Sequence, residues 1–364
     1  MKGVFRHCRF SLGLAAFLFI GLLQSAASAQ FPAPPRRSSL PGHTTAPQIR
    51  PEELFNGESP AFIAPAASSI NEPMLPPVPE PSIESPNLRP QPPLPPQSQY
   101  QQYRQCTPSD GFRLQLAPAG LMYKTYLAGE KEPRISSAWL APRQGNVVWE
   151  NTLGGRVGVL RYGNTNPLRP QGFQFDLEGA VMARVDPQAD SAPLIASDYR
   201  IGLLGTWRYD DTAVKAGYYH LSSHAGDEFL INNPGFARIN YVRDSLIVGL
   251  TEYFADDDWS VYGEFAYAFN AEDGAEPIEL QYGIQYAPMV TGWPGTPYAA
   301  INGHTREDFG WITSVNVMAG WLWRSKWTNR TLRVGMQYYD GPSMQWEFAN
   351  TNESLLGGGI WFDY

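Results

Sequence analysis

Between Ser136 and Tyr364 the chain is built from about a dozen segments in which apolar and polar residues alternate, and this alternation restricts the fold more than any other property. In one segment Ile278, Leu280, Tyr282, Ile284 and Tyr286 share one parity, and Glu279, Gln281, Gly283 and Gln285 share the other. Successive side chains of an extended strand point to opposite faces, so such a segment is a strand with two unlike sides. Residues 173–185 repeat the split, with Phe173, Phe175, Leu177, Gly179, Val181 and Ala183 against Gln174, Asp176, Glu178, Ala180, Met182 and Arg184. So do 259–269 and 332–338. A soluble sandwich packs the apolar side inside, whereas a membrane barrel turns it to lipid. Period alone does not separate the two.

Three features favour the membrane. Lys2, Arg6 and Arg9 precede an apolar run from Phe10 to Leu23 that closes on Ala27-Ser28-Ala29, the layout of a secretory signal with a small-residue cleavage site. Aromatic residues are abundant, with 11 Trp, 19 Tyr and 18 Phe, many near strand ends where interfacial girdles need them. The carboxyl end, Gly358-Gly359-Ile360-Trp361-Phe362-Asp363-Tyr364, resembles the terminal-strand signal of bacterial outer-membrane barrels. After the signal, no stretch has the roughly 20 apolar residues of a membrane-spanning helix. A chain that spans lipid with strands must close them, because open edges leave backbone groups unpaired in hydrocarbon.

The expected organisation is a signal peptide over residues 1–29, a proline-rich disordered linker over 30–105 and an outer-membrane barrel domain over 106–364. The linker holds 19 of the 33 prolines, together with Gln and Ser runs, and cannot bury a core. Fully extended at ~3.1 Å per residue it reaches on the order of 200 Å, enough for periplasmic or cell-wall contact. Cys8 leaves with the signal and Cys106 stays alone, so no intramolecular disulfide forms. Loss of three basic residues with the signal leaves the chain more acidic than its formal −8, which argues against nucleic acid as a partner.

Twelve strands are expected, near 134–140, 151–163, 172–185, 198–208, 212–224, 238–254, 258–269, 277–287, 297–305, 311–325, 331–340 and 355–364. The fold class is therefore all-β, a transmembrane antiparallel up-and-down barrel; residues 121–128 are either a thirteenth strand or an inward-folded segment. The inner parity collects Arg156, Asp176, Glu178, Arg184, Arg200, Arg208, Glu264, Glu279, Arg324 and Arg333. Mixed charges in so narrow a barrel imply an ion-paired, filled interior.

Candidate chemistry lies at His220 and Ser222. Val214, Ala216 and Tyr218 carry the same parity, so the lipid-facing side runs straight into His-x-Ser. An imidazole and a hydroxyl facing lipid are costly as ornaments and useful as base and nucleophile. A third group must fix the imidazole tautomer. On the next strand Asn240 and Asp244 share the lipid-facing parity; Asn240, nearer the outer end, is the first choice and Asp244 the second. Asp227 and Glu228 offer hard oxygen ligands in the intervening loop. With both termini periplasmic, the pair sits where outer-leaflet lipid meets water.

This constellation resembles the outer-membrane phospholipase A family, twelve-stranded barrels whose lipid-facing His-x-Ser and an Asn on the following strand hydrolyse acyl esters with calcium. The lipid A deacylases are similar in carrying His-x-Ser on a barrel exterior. The resemblance implies His220 as base, Ser222 as nucleophile, Asn240 as orienting residue, calcium as cofactor, outer-membrane lipids as substrate, and a homodimer. After the serine the phospholipases carry Asn-Gly, where this chain has Ser223-His224. From Gly120 to Tyr364 the chain is similar to the bacterial domain-of-unknown-function family 1207. That likeness rests on Tyr126-Leu127-Ala128-Gly129, Lys131-Glu132-Pro133-Arg134, residues 153–158, His220-Leu221-Ser222-Ser223-His224 with 226–229, residues 239–244 and 274–277. Two readings of function stand beside each other: a lipid acyl-ester hydrolase, and a non-catalytic barrel acting as structural anchor or surface-binding protein. A transport pore is a third.

Overall fold

The computed structural model describes residues 111–364 except 273 and 293. The expected signal peptide and the whole of the expected linker lie outside the described residues. Thirteen strands follow in chain order: β1 (Arg113–Leu116), β2 (Ile135–Pro142), β3 (Val148–Gly163), β4 (Gly172–Val185), β5 (Leu194–Tyr209), β6 (Thr212–Ala225), β7 (Val242–Phe254), β8 (Trp259–Glu272), β9 (Ile278–Tyr286), β10 (Thr296–Arg306), β11 (Thr313–Arg324), β12 (Thr331–Pro342) and β13 (Asn352–Asp363). A short helix, α1 (Asp227–Asn232), lies between β6 and β7.

Strands β2 to β13 each pair antiparallel with their neighbours in sequence, and β13 returns to pair with β2 from Leu355↔Pro142 to Phe362↔Ile135. The ring is thus a closed antiparallel barrel of twelve strands, as the alternation predicts. Closure removes the free edges that an open sheet would expose. The extra strand, β1, continues the line of β2: β3 pairs with β2 through Leu153 and with β1 from Leu160 to Gly163. Its four residues, Arg113-Leu114-Gln115-Leu116, do alternate, but the run is too short to be read as a strand from sequence.

The parity assignment holds around the ring. Leu177, Ile201, Leu203, Leu246, Val248, Val261, Phe265, Ile301, Val334 and Ile360 are exposed on the outside, while Arg156, Asp176, Glu178, Arg208, Lys215, Arg243 and Arg333 are buried within. The buried charges are paired. Glu178 receives Arg156 at 2.6 Å and Arg200 at 2.9 Å, Lys215 meets Glu264 at 2.6 Å, Arg243 meets Glu279 at 3.2 Å, and Arg333 meets Asp363 at 2.7 Å.

Residues 117–134 fold into this lumen without becoming a strand. The segment touches inner residues from all around the ring. Tyr123 O accepts from Arg156 of β3, Tyr126 stacks on Tyr262 of β8 at 3.8 Å, Leu127 N–H donates to Gln285 of β9, and Ala128 O accepts from Asn316 of β11. Lys131 pairs with Asp198 of β5, and Arg134 caps the segment by donating to Leu127 O at 2.8 Å and Tyr126 O at 2.6 Å. Such a set of partners is reached only from inside. The far end is stoppered by the 343–351 connection, whose Trp346 and Glu347 are buried and whose Trp346 ring lies 4.0 Å under the Arg306 guanidinium.

The two ends differ in their connections. The described chain enters and leaves beside the turns 210–211 and 255–258, and the longest connection between strands of the ring, 226–241, is at the opposite end. In membrane barrels short turns mark the periplasmic side and long loops the exterior. Asp210, at φ +53°, makes the two-residue hairpin between β5 and β6, a turn that needs a left-handed backbone.

Two outcomes are expected. Replacing Glu178 by Gln strands two buried guanidinium groups and lowers stability on the order of 3 kcal/mol in a urea titration in lipid vesicles, far more than Leu332→Ala on the outer face. In planar bilayers the filled lumen gives no steady ohmic conductance.

Candidate functional site

On β6 the odd residues Lys215, Tyr219, Leu221 and Ser223 are buried, and the even residues Tyr218, His220, Ser222 and His224 lie on the outer face. His220 and Ser222 therefore emerge on the membrane side, near the loop end of the strand. Aromatic rings lie on the outer face toward the loop ends of the strands: Trp139 stacked on Trp149 at 5.3 Å, Tyr199, Tyr218 and Phe269. Such a girdle marks the boundary of hydrocarbon and headgroups.

Register supplies the partner. His220 stands opposite Asp244 of β7, and Ser222 opposite Val242. His220 Nδ1 is 2.8 Å from Asp244 Oδ1, with the imidazole 34% and the carboxylate 19% exposed. With Asp244 ionised, Nδ1 carries the proton and donates it to the carboxylate, which leaves Nε2 as an acceptor. The carboxylate is held by two further donors, Tyr218 O–H to Oδ1 at 2.7 Å and Asn270 Nδ2 to Oδ2 at 2.9 Å. A carboxylate with three donors on the outer wall of a barrel is fixed in place and hydrogen-bonded at both oxygens, as a partly desolvated charge requires. Ser222 Oγ has no hydrogen-bond partner among the described residues, and neither has His220 Nε2.

Asn240, the first choice from parity, is not at the imidazole. Its backbone is left-handed, at φ +53°, and β7 starts only at Val242, so the expected strand from 238 begins four residues late. Counting parity back through a left-handed residue loses its meaning. The Asn240 side chain instead accepts from Arg238 Nη2 at 3.3 Å. Asp244, the second choice, occupies the orienting position.

Tyr218 and Asn270 were not singled out by sequence. Tyr218 was readable, since it shares the parity of His220. Asn270 was not, because the alternation of β8 puts even residues inside. A bulge intervenes: β7 pairs Ser245 with Ala268 but Asp244 with Asn270, and Phe269 is the extra residue. One inserted residue reverses parity, which turns Asn270 outward to meet Asp244.

The remaining candidates are dispersed. Asp227 and Glu228 are exposed on the first turn of α1, and among the described residues no group of three or more His, Cys, Asp or Glu is able to hold a metal ion. His224 packs edge-on against Tyr199, with ring centroids 5.7 Å apart, and its Nδ1 lies 3.5 Å from Arg238 Nη2. His304 is in the lumen, 2.8 Å from Glu130 and 3.4 Å from Glu279.

In protein labelled with ¹⁵N-histidine, Asp244→Ala is expected to abolish the fixed Nδ1–H tautomer of His220, seen as movement of its ring-nitrogen resonances toward an averaged position. Asn240→Ala leaves them unchanged.

Comparison with known proteins adds the following. No curated protein matches the chain. Among solved structures, the outer membrane phospholipase A from Escherichia coli is 12% identical with a TM-score of 0.45, over 64% of this chain and 90% of that one. A Salmonella typhi outer membrane phospholipase dimer with bound calcium is 12% identical with a TM-score of 0.44, over 64% and 91%. The KdgM porin is 11% identical with a TM-score of 0.34, over 63% and 99%. One family matches across the whole barrel, over residues 93–364, and the chain belongs to it: the family described as protein of unknown function DUF1207.

Proposed function

We propose that the protein is an outer-membrane lipid acyl-ester hydrolase, with Ser222 as nucleophile, His220 as general base and Asp244 as the orienting carboxylate. One observation carries the reading: an imidazole on the lipid-facing wall, oriented at Nδ1 by a buttressed aspartate at 2.8 Å, has a serine two residues along on the same face. A two-residue rise sets the side chains about 6.6 Å apart at the backbone, a gap closed when the Nε2 edge turns toward Ser222. Catalytic hydrogen bonds commonly tighten only with substrate present.

In this reaction the Ser222 hydroxyl attacks the acyl carbonyl carbon of a membrane glycerolipid or lipid A ester while Nε2 takes its proton. The imidazolium, stabilised by Asp244, returns that proton to the departing alcohol oxygen, and the acyl group remains on Ser222. Water, deprotonated by the same imidazole, then releases the fatty acid. The charge growing on the carbonyl oxygen needs donors. Ser223 N–H is committed to Tyr241 O at 2.9 Å, so the amide following the nucleophile does not serve. Arg238, beside His224 beyond Ser222 on the outer face, provides a cationic donor on the headgroup side. Asp227 and Glu228, exposed on the first turn of α1, are two carboxylates without a third such ligand among the described residues, so no step is assigned to calcium, and activity in calcium against chelator tests that.

A non-catalytic anchor or surface-binding barrel is the second reading. It is favoured by the missing hydrogen bond between Ser222 and His220, because a self-satisfied polar cluster at a headgroup boundary needs no chemistry.

Purified full-length protein in detergent is expected to release fatty acid from phospholipid or lipid A. Ser222→Ala reduces release to background, and Asp244→Ala lowers kcat about 10²- to 10⁴-fold. Asn240→Ala changes it by less than threefold, about 0.65 kcal/mol at most. Absence of release from the wild-type protein under every calcium condition removes the hydrolase reading and leaves the anchor.

A further inference from the structure

The outer wall beside His220 is not flat. A groove of about 480 Å³, within the ~300–1,000 Å³ range of ligand sites, runs from the imidazole across β5, β4 and β3. Register explains its course. Gly155 pairs with Gly179, Gly179 with Ile201 and Ile201 with His220, so these four outward positions form one lateral row along the hydrogen-bonding direction. The row two residues toward the loops, Leu153, Val181 and Tyr199, makes one wall, and Val157 and Leu177 make the other. In the middle row Ile201 stands next to His220, and Gly179 beyond it leaves a gap in the outer face.

Glycine at 179 is not demanded by the fold. Its φ is not positive, and a Cβ there would meet nothing closer than Arg200 O at 3.5 Å, an ordinary contact. What the missing side chain provides is empty space on the lipid side. Gly155 differs, because a Cβ there would sit 2.4 Å from the Tyr364 ring. That ring is the end stop of the channel. From His220 to Gly155 are three interstrand steps of ~4.8 Å, so the row spans about 14 Å, with the Ile201 side chain flooring the part next to the imidazole. Its lining is aliphatic apart from Tyr199 and His220, since Glu178, Ala180 and Arg200 contribute only backbone.

We propose that this trough binds a single saturated fatty-acyl chain of a membrane lipid, with the ester at His220 and the methyl end toward Tyr364. The proposal rests on the hydrolase reading for the ester's fate, but not for the chain's seat. A shallow trough narrowed to one glycine at Gly179, open to hydrocarbon and aliphatic apart from Tyr199 and the imidazole, fits an unbranched methylene chain. On the other side of His220 the row continues into Asp244 and Asn270, which are polar, so a chain is directed one way only.

The test has two arms. In the first, full-length Ser222→Ala protein in nanodiscs is photolysed with phosphatidylcholine bearing a diazirine on its palmitoyl chain, and the labelled residues are mapped by mass spectrometry. Label is expected to concentrate at Leu177, Val181 and Ile201 over Leu246, Val248 and Val334, which are exposed outside the trough, and to fall at least tenfold at the first three when Gly179→Leu is added. Even labelling of the whole lipid face, or no response to Gly179→Leu, overturns the trough. Gly179→Ala, whose methyl group meets only ordinary contacts, gives an intermediate loss and stands in if the leucine variant does not fold.

The second arm measures hydrolysis of butanoyl, dodecanoyl and hexadecanoyl esters. Gly179→Leu is expected to raise KM at least tenfold for the two longer chains and to leave the butanoyl ester within twofold; equal loss on all three overturns the trough. If the wild-type protein cleaves none of them, the hydrolase reading falls, and the labelling arm alone decides the trough.

Discussion

Charges buried inside the ring decide which way every strand faces. Glu178 is clasped by two arginines and Asp363 by Arg333 and Arg134, and none of these groups can turn to the outside without leaving an unpaired ion in hydrocarbon. A slip of one residue in any strand would carry its whole inner set outward. The pairs contribute less as net attraction than as a penalty on every other register, because removing a charge from water is repaid only when its partner is in place. Segment 117–134 extends this logic, bringing its own Lys131, Glu132 and Arg134 to meet wall charges that would otherwise face a void.

A filled interior moves any chemistry to the exterior. The wall facing lipid is mostly aliphatic, and the cluster of Tyr218, His220, Asp244 and Asn270 stands out because every polar contact in it is made between side chains on that one face. Its position toward the loop ends of β6 and β7 is what the hydrolase proposal requires, because ester bonds lie just below lipid headgroups. The same sheet geometry that aligns His220 with Asp244 on one side aligns it with the two glycines on the other. Polar site and apolar slot are halves of one hydrogen-bonded row.

Much of this could be read from sequence because it depends on a period of two. Closure into twelve strands, the inner charges and the outward emergence of His220 and Ser222 all follow from counting, and all hold. What escaped depends on interruptions of the count. The left-handed turn at Asn240 removes that residue from β7, and the bulge at Phe269 delivers Asn270 to the outer face against the parity of its strand. The inward segment offered no period at all; its partners are side chains on strands far away in sequence. Strand β1 is four residues long and recognisable only by its pairing with β3.

Segment 117–134 runs directly into β2, and β2 is one side of the seam that β13 closes. Its last residue, Arg134, meets Asp363 of β13 across that seam. Plug and closing strand are thus fastened to each other as well as to the wall, and loss of this one ion pair loosens both.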